Sequence, residues 1–396
     1  MSVSIPVGPF FDHSRHRLTV YNCAAPIDVL AFEGEERLSQ CFSYRIEFTS
    51  TVQDIPAEDI LCHEAYFSLY PLPPKPLYRG MQMPAPVPLR KLHGVITEFK
   101  RLSSSRDEAR YEVVLQPRLA LLGRGREYRI YQQQSVPEIV ESILRSRHGY
   151  LGQHFLFDLL YEYPRRLQVM QYGESDLAFI ERLLAEVGIW YRFGTDERLN
   201  IGVLEFHDEQ RFYRFDVELP CRSGSGLSSG DQDSVWQLQS HHQVVEKQIH
   251  FRSYDPNDVF ANLEGDIDQT RGATTTYGDA HHVGDAFTAM GDRYAFRHEQ
   301  EPESGIGLAR LHHERYLNDR VRLSGTTSSP ILAPGQCLTL KGDAPAAFAP
   351  GAVIVGLTTR AARDSSFIAN FTGMPYDRDV CFRPALKPKP VMAGTV

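Results

Sequence analysis

The chain has 396 residues, with 42 Lys and Arg against 50 Asp and Glu and a formal net charge of -8. That length exceeds one hydrophobic core and predicts about two to three domains of roughly 100–200 residues each. The unclustered cations exclude the basic footprint of a nucleic-acid binder, and no apolar run approaches the roughly 20 residues that span a bilayer. The first 18 residues lack the charged-then-apolar layout of a signal peptide, which predicts folding in the cytoplasm. Cys23, Cys41, Cys62, Cys221, Cys337 and Cys381 show no C-x-x-C spacing, so they are expected as buried free thiols rather than as disulfides or zinc ligands.

In chain order, short alternating runs open the sequence: Leu18 to Val20, Ile27 to Leu38 and Phe42 to Phe48. Phe42, Tyr44, Ile46 and Phe48 share one face of a strand, with Ser43, Arg45 and Glu47 on the other. Residues 71 to 88 carry Pro71, Pro73, Pro74, Pro76, Pro84, Pro86 and Pro88, too many for a helix or central strand, and predict an exposed loop. Strands resume at Leu92 to Phe99, with Tyr111 to Pro117 as the antiparallel partner. These runs predict a small antiparallel β-barrel over 1–125.

The character then changes. Leu119 to Leu122 leads through Arg124 and Arg126 to the Tyr128 to Gln132 run, and Ser135-x-x-Glu138 is a capping box opening a helix through Leu144, with Pro137 harmless in its first turn. The Leu167 to Phe193 stretch reads as strand, helix, strand. Ser175 is the N-cap, Asp176 places negative charge at the positive helix end, and Leu177, Ile180, Leu183, Leu184 and Val187 form one apolar face widened by Phe179. Glu181, Arg182 and Glu186 fall on the opposite, solvated face. Gly188 stands where a left-handed residue must end the helix, so the spacing predicts a helix over 176–187 followed by the aromatic strand Ile189 to Phe193.

Strand runs return at Leu199 to Phe206, Ser234 to Leu238 and Val244 to Tyr254, the last ending in a turn at Tyr254-Asp255. A helix is predicted over Leu308 to Leu317, followed by a strand at Val321 to Thr326. The Leu332-Ala333-Pro334-Gly335 turn precedes a strand at Leu338 to Leu340, and strands at Gly351 to Thr359 and Phe367 to Met374 complete a second barrel. The expected division is 1–125 first barrel, 126–235 helical and mixed region, 236–384 second barrel with one helix, and 385–396 linker.

Several of these strings resemble the VgrG family, the tip proteins of the type VI secretion system, similar in fold to contractile phage baseplate hubs. The strings are Phe32-x-Gly34-x-Glu36-x-Leu38-Ser39, Leu92-His93-Gly94-x-x-Thr97-x-Phe99, Gln171-Tyr172-x-Glu174-Ser175-Asp176-Leu177-x-Phe179 with Arg182 to Tyr191, the 332–335 turn, and Phe382-Arg383-Pro384. The resemblance covers about residues 16 to 384. It implies an α+β base of two small antiparallel β-barrels related by pseudo-symmetry with an inserted helical region, assembled as a homotrimer. Three protomers with two barrels each would match the hexameric Hcp tube. It further implies contacts with baseplate components and with effectors or adaptor proteins, and export through the type VI apparatus without a signal peptide. In the family an oligonucleotide-binding-like barrel and a β-helical spike follow the 385–396 linker. Two alternatives stay open: an exported effector or enzyme carried on the scaffold, and the hub of a prophage or contractile injection particle.

No catalytic, cofactor-binding or metal residue is nominated. Gly226-Leu227-Ser228-Ser229-Gly230 satisfies G-x-S-x-G without the strand and helix that a nucleophile elbow needs. In His241-His242, His281-His282 and His312-His313 adjacent side chains diverge and cannot share one ion. Glu174, Asp176 and Glu181 are explained by cap chemistry and a solvated helix face. Asp255, Asp258, Asp266 and Asp268 lack the spacing of a calcium loop.

Overall fold

The computed structural model describes residues 16–71, 87–222, 233–252, 264–270, 272–283 and 302–391. Six strands open the chain: β1 (His16–Val20), β2 (Asp28–Arg37), β3 (Ser43–Ser50), β4 (Glu64–Leu69), β5 (Arg90–Ser104) and β6 (Ala109–Gln116). They pair antiparallel in the order β1-β4-β5-β6-β3-β2, and the alternation of β3 is realised with Phe42, Tyr44, Ile46 and Phe48 all fully buried. Most of the proline-rich 71–88 stretch lies outside the described residues; Pro71 and Pro88 flank β4 and β5.

The middle region holds β7 (Glu127–Gln134), α1 (Val136–Ser142), β8 (Phe155–Asp158), β9 (Arg166–Glu174), α2 (Asp176–Val187), β10 (Trp190–Asp196), β11 (Ile201–His207) and β12 (Arg214–Pro220). Both halves of the Ser135/Glu138 capping box form, and a wider turn, Ile143–Arg147, carries the helix three residues past the expected Leu144 end. β7 pairs antiparallel with β9, while β11 lies between antiparallel β10 and parallel β8. α2 begins and ends where its caps predict: Ser175 Oγ accepts from Ala178 N at 3.2 Å, and Gly188 has φ 76°. A Cβ at Gly188 would also run into the Leu311 side chain.

The last region comprises β13 (Val235–His242), β14 (Gln248–Arg252), β15 (Glu264–Ile267), β16 (Asp279–Val283), α3 (Gly305–Arg320), β17 (Val321–Thr327), β18 (Gln336–Lys341), β19 (Ala352–Ala362) and β20 (Ser365–Pro375). The Tyr254-Asp255 turn lies outside the described residues. β14 is the centre of a small sheet with β15 and β16, and Ile249 and Phe251 of that sheet pack on Ala309 of α3.

The fold is mostly antiparallel β with few helices, but its two strand groups are not separate bodies. β2 pairs with β19, from Arg37↔Gly356 to Ala31↔Ala362, so one twelve-stranded sheet runs β1-β4-β5-β6-β3-β2-β19-β20-β17-β13, with β18 and β12 attached beside β19. A single apolar core follows it, from Phe67 and Tyr111 through Phe32 to Ile354 and Phe371. Bulges at Val29/Ala31, Ile96/Glu98 and Ile354/Gly356 bend the sheet. The first group curls into a half-barrel closed by side chains, where His16 of β1 meets the Phe32 ring of β2 edge-on at 5.0 Å.

No helix among the described residues is long and apolar enough to cross a membrane. All six cysteines are unbridged, but only Cys337 and Cys381 are buried, and Cys62 is exposed. The expectation of buried thiols therefore holds for two of the six: Cys62 stands at a turn with φ 59°, outside the packed faces.

Candidate functional site

The strings that carry the family resemblance fall on polar contacts that lock the elements together. In β2, Gly34 lies under the Tyr44 ring of the neighbouring strand, where a Cβ would collide with it. Two residues on, buried Glu36 accepts from Tyr44 Oη at 2.6 Å and from Arg90 Nη1 at 2.8 Å. Ser39 then joins the sheet to β10: its N–H donates to Tyr191 O, and its Oγ accepts from Tyr191 N.

The N-terminal end of α2 is a second such knot. Asp176 is buried and accepts from Arg147 Nη1 at 2.6 Å and Gln171 Nε2 at 2.9 Å, with His148 Nε2 at 2.7 Å. Arg182, expected on the solvated face, is instead buried, its guanidinium held by both oxygens of Glu174 at 2.8 Å and by Glu186 at 3.0 Å. The correction has a simple cause. β9 passes over that face, and a charged side chain that meets a matched partner can be buried where periodicity alone places it in water. Glu181, also expected in solvent, accepts from Tyr191 Oη and pairs with Lys387 at 3.1 Å.

At the opposite end of α2 the helix meets α3 and the segment after β20. Arg315 donates through Nε to Pro384 O at 2.9 Å and through Nη2 to Ala185 O at 2.5 Å. Arg383, fully enclosed, pairs with Glu314 and donates through Nη1 to Gly188 O at 2.9 Å and Asp208 O at 2.6 Å. Two cations thus satisfy carbonyls at the negative end of the α2 dipole. Burial works against the Arg383 charge, but Glu314 outweighs it and holds this guanidinium above the ordinary arginine value. Asn318 grips the segment from both sides, donating to Cys381 O and accepting from Arg383 N. The Asp208 carboxylate, buried beside this knot, takes the Leu160 and Tyr161 N–H groups and the Tyr163 hydroxyl. What the arrangement does chemically is mechanical: it fixes the angle at which residues 376–391 leave the sheet.

A third ionic knot ties β10, β11 and β12. Glu205 accepts from Arg192 Nε and Arg214 Nη2, both at 2.7 Å. Burial pushes its carboxyl up, but His207, Arg192 and Arg214 together outweigh that and hold it down to about 2.

The Gly226 to Gly230 string, Asp255 and Asp258 lie outside the described residues. Asp266 contacts His250, and Asp268 accepts from Thr270 N and Oγ1. Among the described residues no group of three His, Cys, Asp or Glu is placed to hold a metal. Histidines do meet across the pairs rather than within them: His282 of β16 stacks on His312 of α3 at 4.3 Å, and His250 of β14 on His281 of β16 at 4.8 Å. Sequence reasoning noted Phe382-Arg383-Pro384 as a resemblance string without assigning its residues a role, and passed over Glu314, Arg315 and Asp208. Their pairing across distant segments leaves no local periodicity to find.

A family model described as the phage tail baseplate hub (GPD) matches residues 35–365. The type VI secretion system spike protein VgrG5 of Pseudomonas aeruginosa is 29% identical over 325 residues, spanning 82% of this chain and 37% of the relative. The chain thus spans under half the length of that curated relative. Among solved structures, the E. coli c3393 protein is described as a component of the type VI secretion system with structural similarity to T4 tail proteins gp27 and gp5. It superposes with a TM-score of 0.72 at 41% identity, over 96% of this chain and 82% of that one. A tail protein from Neisseria meningitidis shares the fold alone, at TM-score 0.58 and 9% identity over 93% of this chain and 99% of that one. Matched over most of its length by the family model and at 41% identity by c3393, the chain belongs to the phage tail baseplate hub family.

Proposed function

We propose that this chain is the base of a type VI secretion tip protein: a structural hub that assembles as a homotrimer, seats on the hexameric Hcp tube and presents a spike on its other side. The observation that carries the reading is the 41% identity to c3393 across 96% of the chain, together with the hub fold. The strand groups on either side of the β2–β19 seam supply the two barrel-like units that, taken three times, give pseudo-sixfold symmetry. The units are 1–125 and 236–384, with 126–235 inserted and 385–396 as linker. The knot of Arg315, Arg383, Glu314 and Asn318 supports the same role, because it rigidly orients the segment leading away from the base. In this reading the region performs no catalysis, the protein is made in the cytoplasm, and it is ejected with baseplate, effector or adaptor partners.

The test is assembly. Barrel-to-barrel contacts alone predict a concentration-dependent monomer–trimer equilibrium that shifts to trimer when a trimerising segment is fused after Val396. Light scattering should report the trimer, and electron microscopy should show threefold rings capping Hcp tubes. A fused protein that forms no ring and leaves Hcp tubes bare overturns the reading. The match to the phage tail baseplate hub model favours one second reading, a prophage hub, in which the rings form but cap a phage tail tube instead.

A further inference from the structure

Beside the α2–α3 knot lies a cleft of about 1030 Å³, walled by α3, β13, β17 and the segment after β20. Its charge runs against that of the molecule. The chain as a whole carries -8, yet the cleft gathers five cations, Arg37, Arg315, Arg322, Arg383 and Lys387, against two carboxylates, Glu181 and Asp319. Arg37 is neutralised by Glu35, Arg383 by Glu314 and Lys387 by Glu181. Arg315 is different. Among the described residues it has no carboxylate partner; its Nε and Nη2 go to the carbonyls of Pro384 and Ala185, and Nη1 is uncommitted. Burial and the neighbouring Arg383 push its guanidinium down to about 10. A half-buried cation beside another cation, its one neighbouring carboxylate, Glu314, already paired to Arg383, is short of the counter-charge that such a group normally requires.

Two further features define what would supply it. The stacked imidazoles of His282 and His312 adjoin Arg315, with Tyr316 Oη 3.4 Å from His282 Nε2. The floor is apolar: Ile189, Leu323 and Met374 are buried beneath it, and the surface open to an occupant comes from Val355, Phe382 and Leu386. Guanidinium forks match carboxylates bidentately, and a mixed apolar and cationic cleft at the upper end of ligand-pocket size suits a short amphipathic segment. We propose that this cleft is a docking site for an acidic, partly apolar peptide segment of a partner protein, its carboxylates on Arg315 and Arg322 and its apolar side chains on the floor. The exposed Arg322–Asp319 pair, at 2.7 Å, is the kind of weak surface bridge that an incoming carboxylate can replace. The test of this site needs neither trimer nor tube.

The occupant's charge should couple to the histidines. Burial, then Arg315, pushes both imidazoles down, and His312 lies at about 4. The other groups facing them are Glu246 before β14, His241 of β13 and Tyr316 of α3. A carboxylate on Arg315 offsets the main charge opposing their protonation, so binding takes up protons and tightens as pH falls from the ordinary imidazole value of 6.5 toward the depressed His312 value of about 4.

The experiment is fluorescence anisotropy on the whole chain with a labelled octapeptide of alternating glutamate and leucine, its glutamine-leucine counterpart, and a single-stranded thymidine octanucleotide. The glutamate peptide should bind saturably with a dissociation constant below about 1 mM and tighten at lower pH and lower salt, while the glutamine peptide does neither. Arg322→Glu should weaken binding roughly tenfold or more without changing thermal melting, since that side chain is exposed. Arg315→Met should abolish binding; because it also uncaps α2, the Arg322 variant carries the argument if the Arg315 variant does not fold. Equal affinity for the two peptides, or binding unmoved by Arg322→Glu, overturns the proposal. So does tighter, Arg322-dependent binding of the oligonucleotide, which would make the cleft a polyphosphate site.

Discussion

Helices α2 and α3 meet at one knot but are held by different physics. In α2 the buried residues include Phe179, Ile180, Leu183, Leu184 and Val187, a broad apolar stripe seated in a core with Ile139, Ile143 and Phe206. In α3 the buried residues are Gly305, Ala309, His313, Glu314 and Leu317, a narrow line in which two of the five, His313 and Glu314, are polar. Burial of apolar area is non-directional and roughly additive, whereas a buried carboxylate is tolerable only opposite one particular cation. The first helix is therefore specified by its own sequence. The second is specified by residues far from it: Arg383 for Glu314, Cys381 and Arg383 for Asn318, and Gln269, whose N–H donates to His313.

The largest test of this contrast strikes α2. Leu183 is fully buried at the centre of the stripe. Leu183→Asp places an unpaired carboxylate there at a cost on the order of several kcal/mol, comparable with a domain's whole stability, and should abolish soluble folding. A soluble variant with unchanged thermal melting would contradict the packing of α2.

The second test strikes α3 through its partner. Glu314→Leu leaves Arg383 enclosed without its carboxylate and should cost about 3–5 kcal/mol in denaturant unfolding. Adding Arg383→Met removes the stranded charge and should recover part of that loss. Recovery stays incomplete, because Gly188 O and Asp208 O lose their donor, at about 1–3 kcal/mol for each group left unsatisfied. Full recovery in the double variant would mean that α3 is held by area, as α2 is, and that the carbonyl contacts contribute nothing.

The same difference explains what the sequence made legible. The alternation of Phe42 to Phe48, the capping box at Ser135 and the limits of α2 are each encoded within a few residues, and each forms as expected. The β2–β19 seam is encoded nowhere locally. Both strands read correctly as strands, but the choice of partner is made by a shared core, so the strand groups of the two expected units are joined in one sheet. Arg182 fails for a related reason. Helical periodicity assigns charged residues to solvent, and only the arrival of Glu174 from β9 makes burial of this one cheaper than exposure. Glu314, Arg315 and Arg383 repeat that lesson at the knot. The motif strings located it, but the residue types could not disclose which pairs close.

The smallest effect compares the caps. Each helix begins with a serine whose hydroxyl accepts from the backbone N–H three residues on: Ser175 from Ala178 at 3.2 Å, Ser304 from Gly307 at 2.9 Å. Ser175 is partly open to solvent, so after Ser175→Ala water can reach the released N–H, and the loss should be about 1 kcal/mol or less. Ser304 is buried, with 1% of its surface exposed. Ser304→Ala leaves its donor, the Gly307 N–H, in a more enclosed site than that of Ala178, and the cost should rise to about 2 kcal/mol, toward the upper end of measured caps. Amide exchange adds direction to the magnitude. The Ser304 change should loosen the first turn of α3 and spread to Gln269 and His313, because α3 has few apolar contacts to hold it once its polar contacts shift. The Ser175 change should stay confined to the first turn of α2, whose stripe remains buried. Equal costs with equally local exchange would remove the distinction between a helix held by area and a helix held by particular partners.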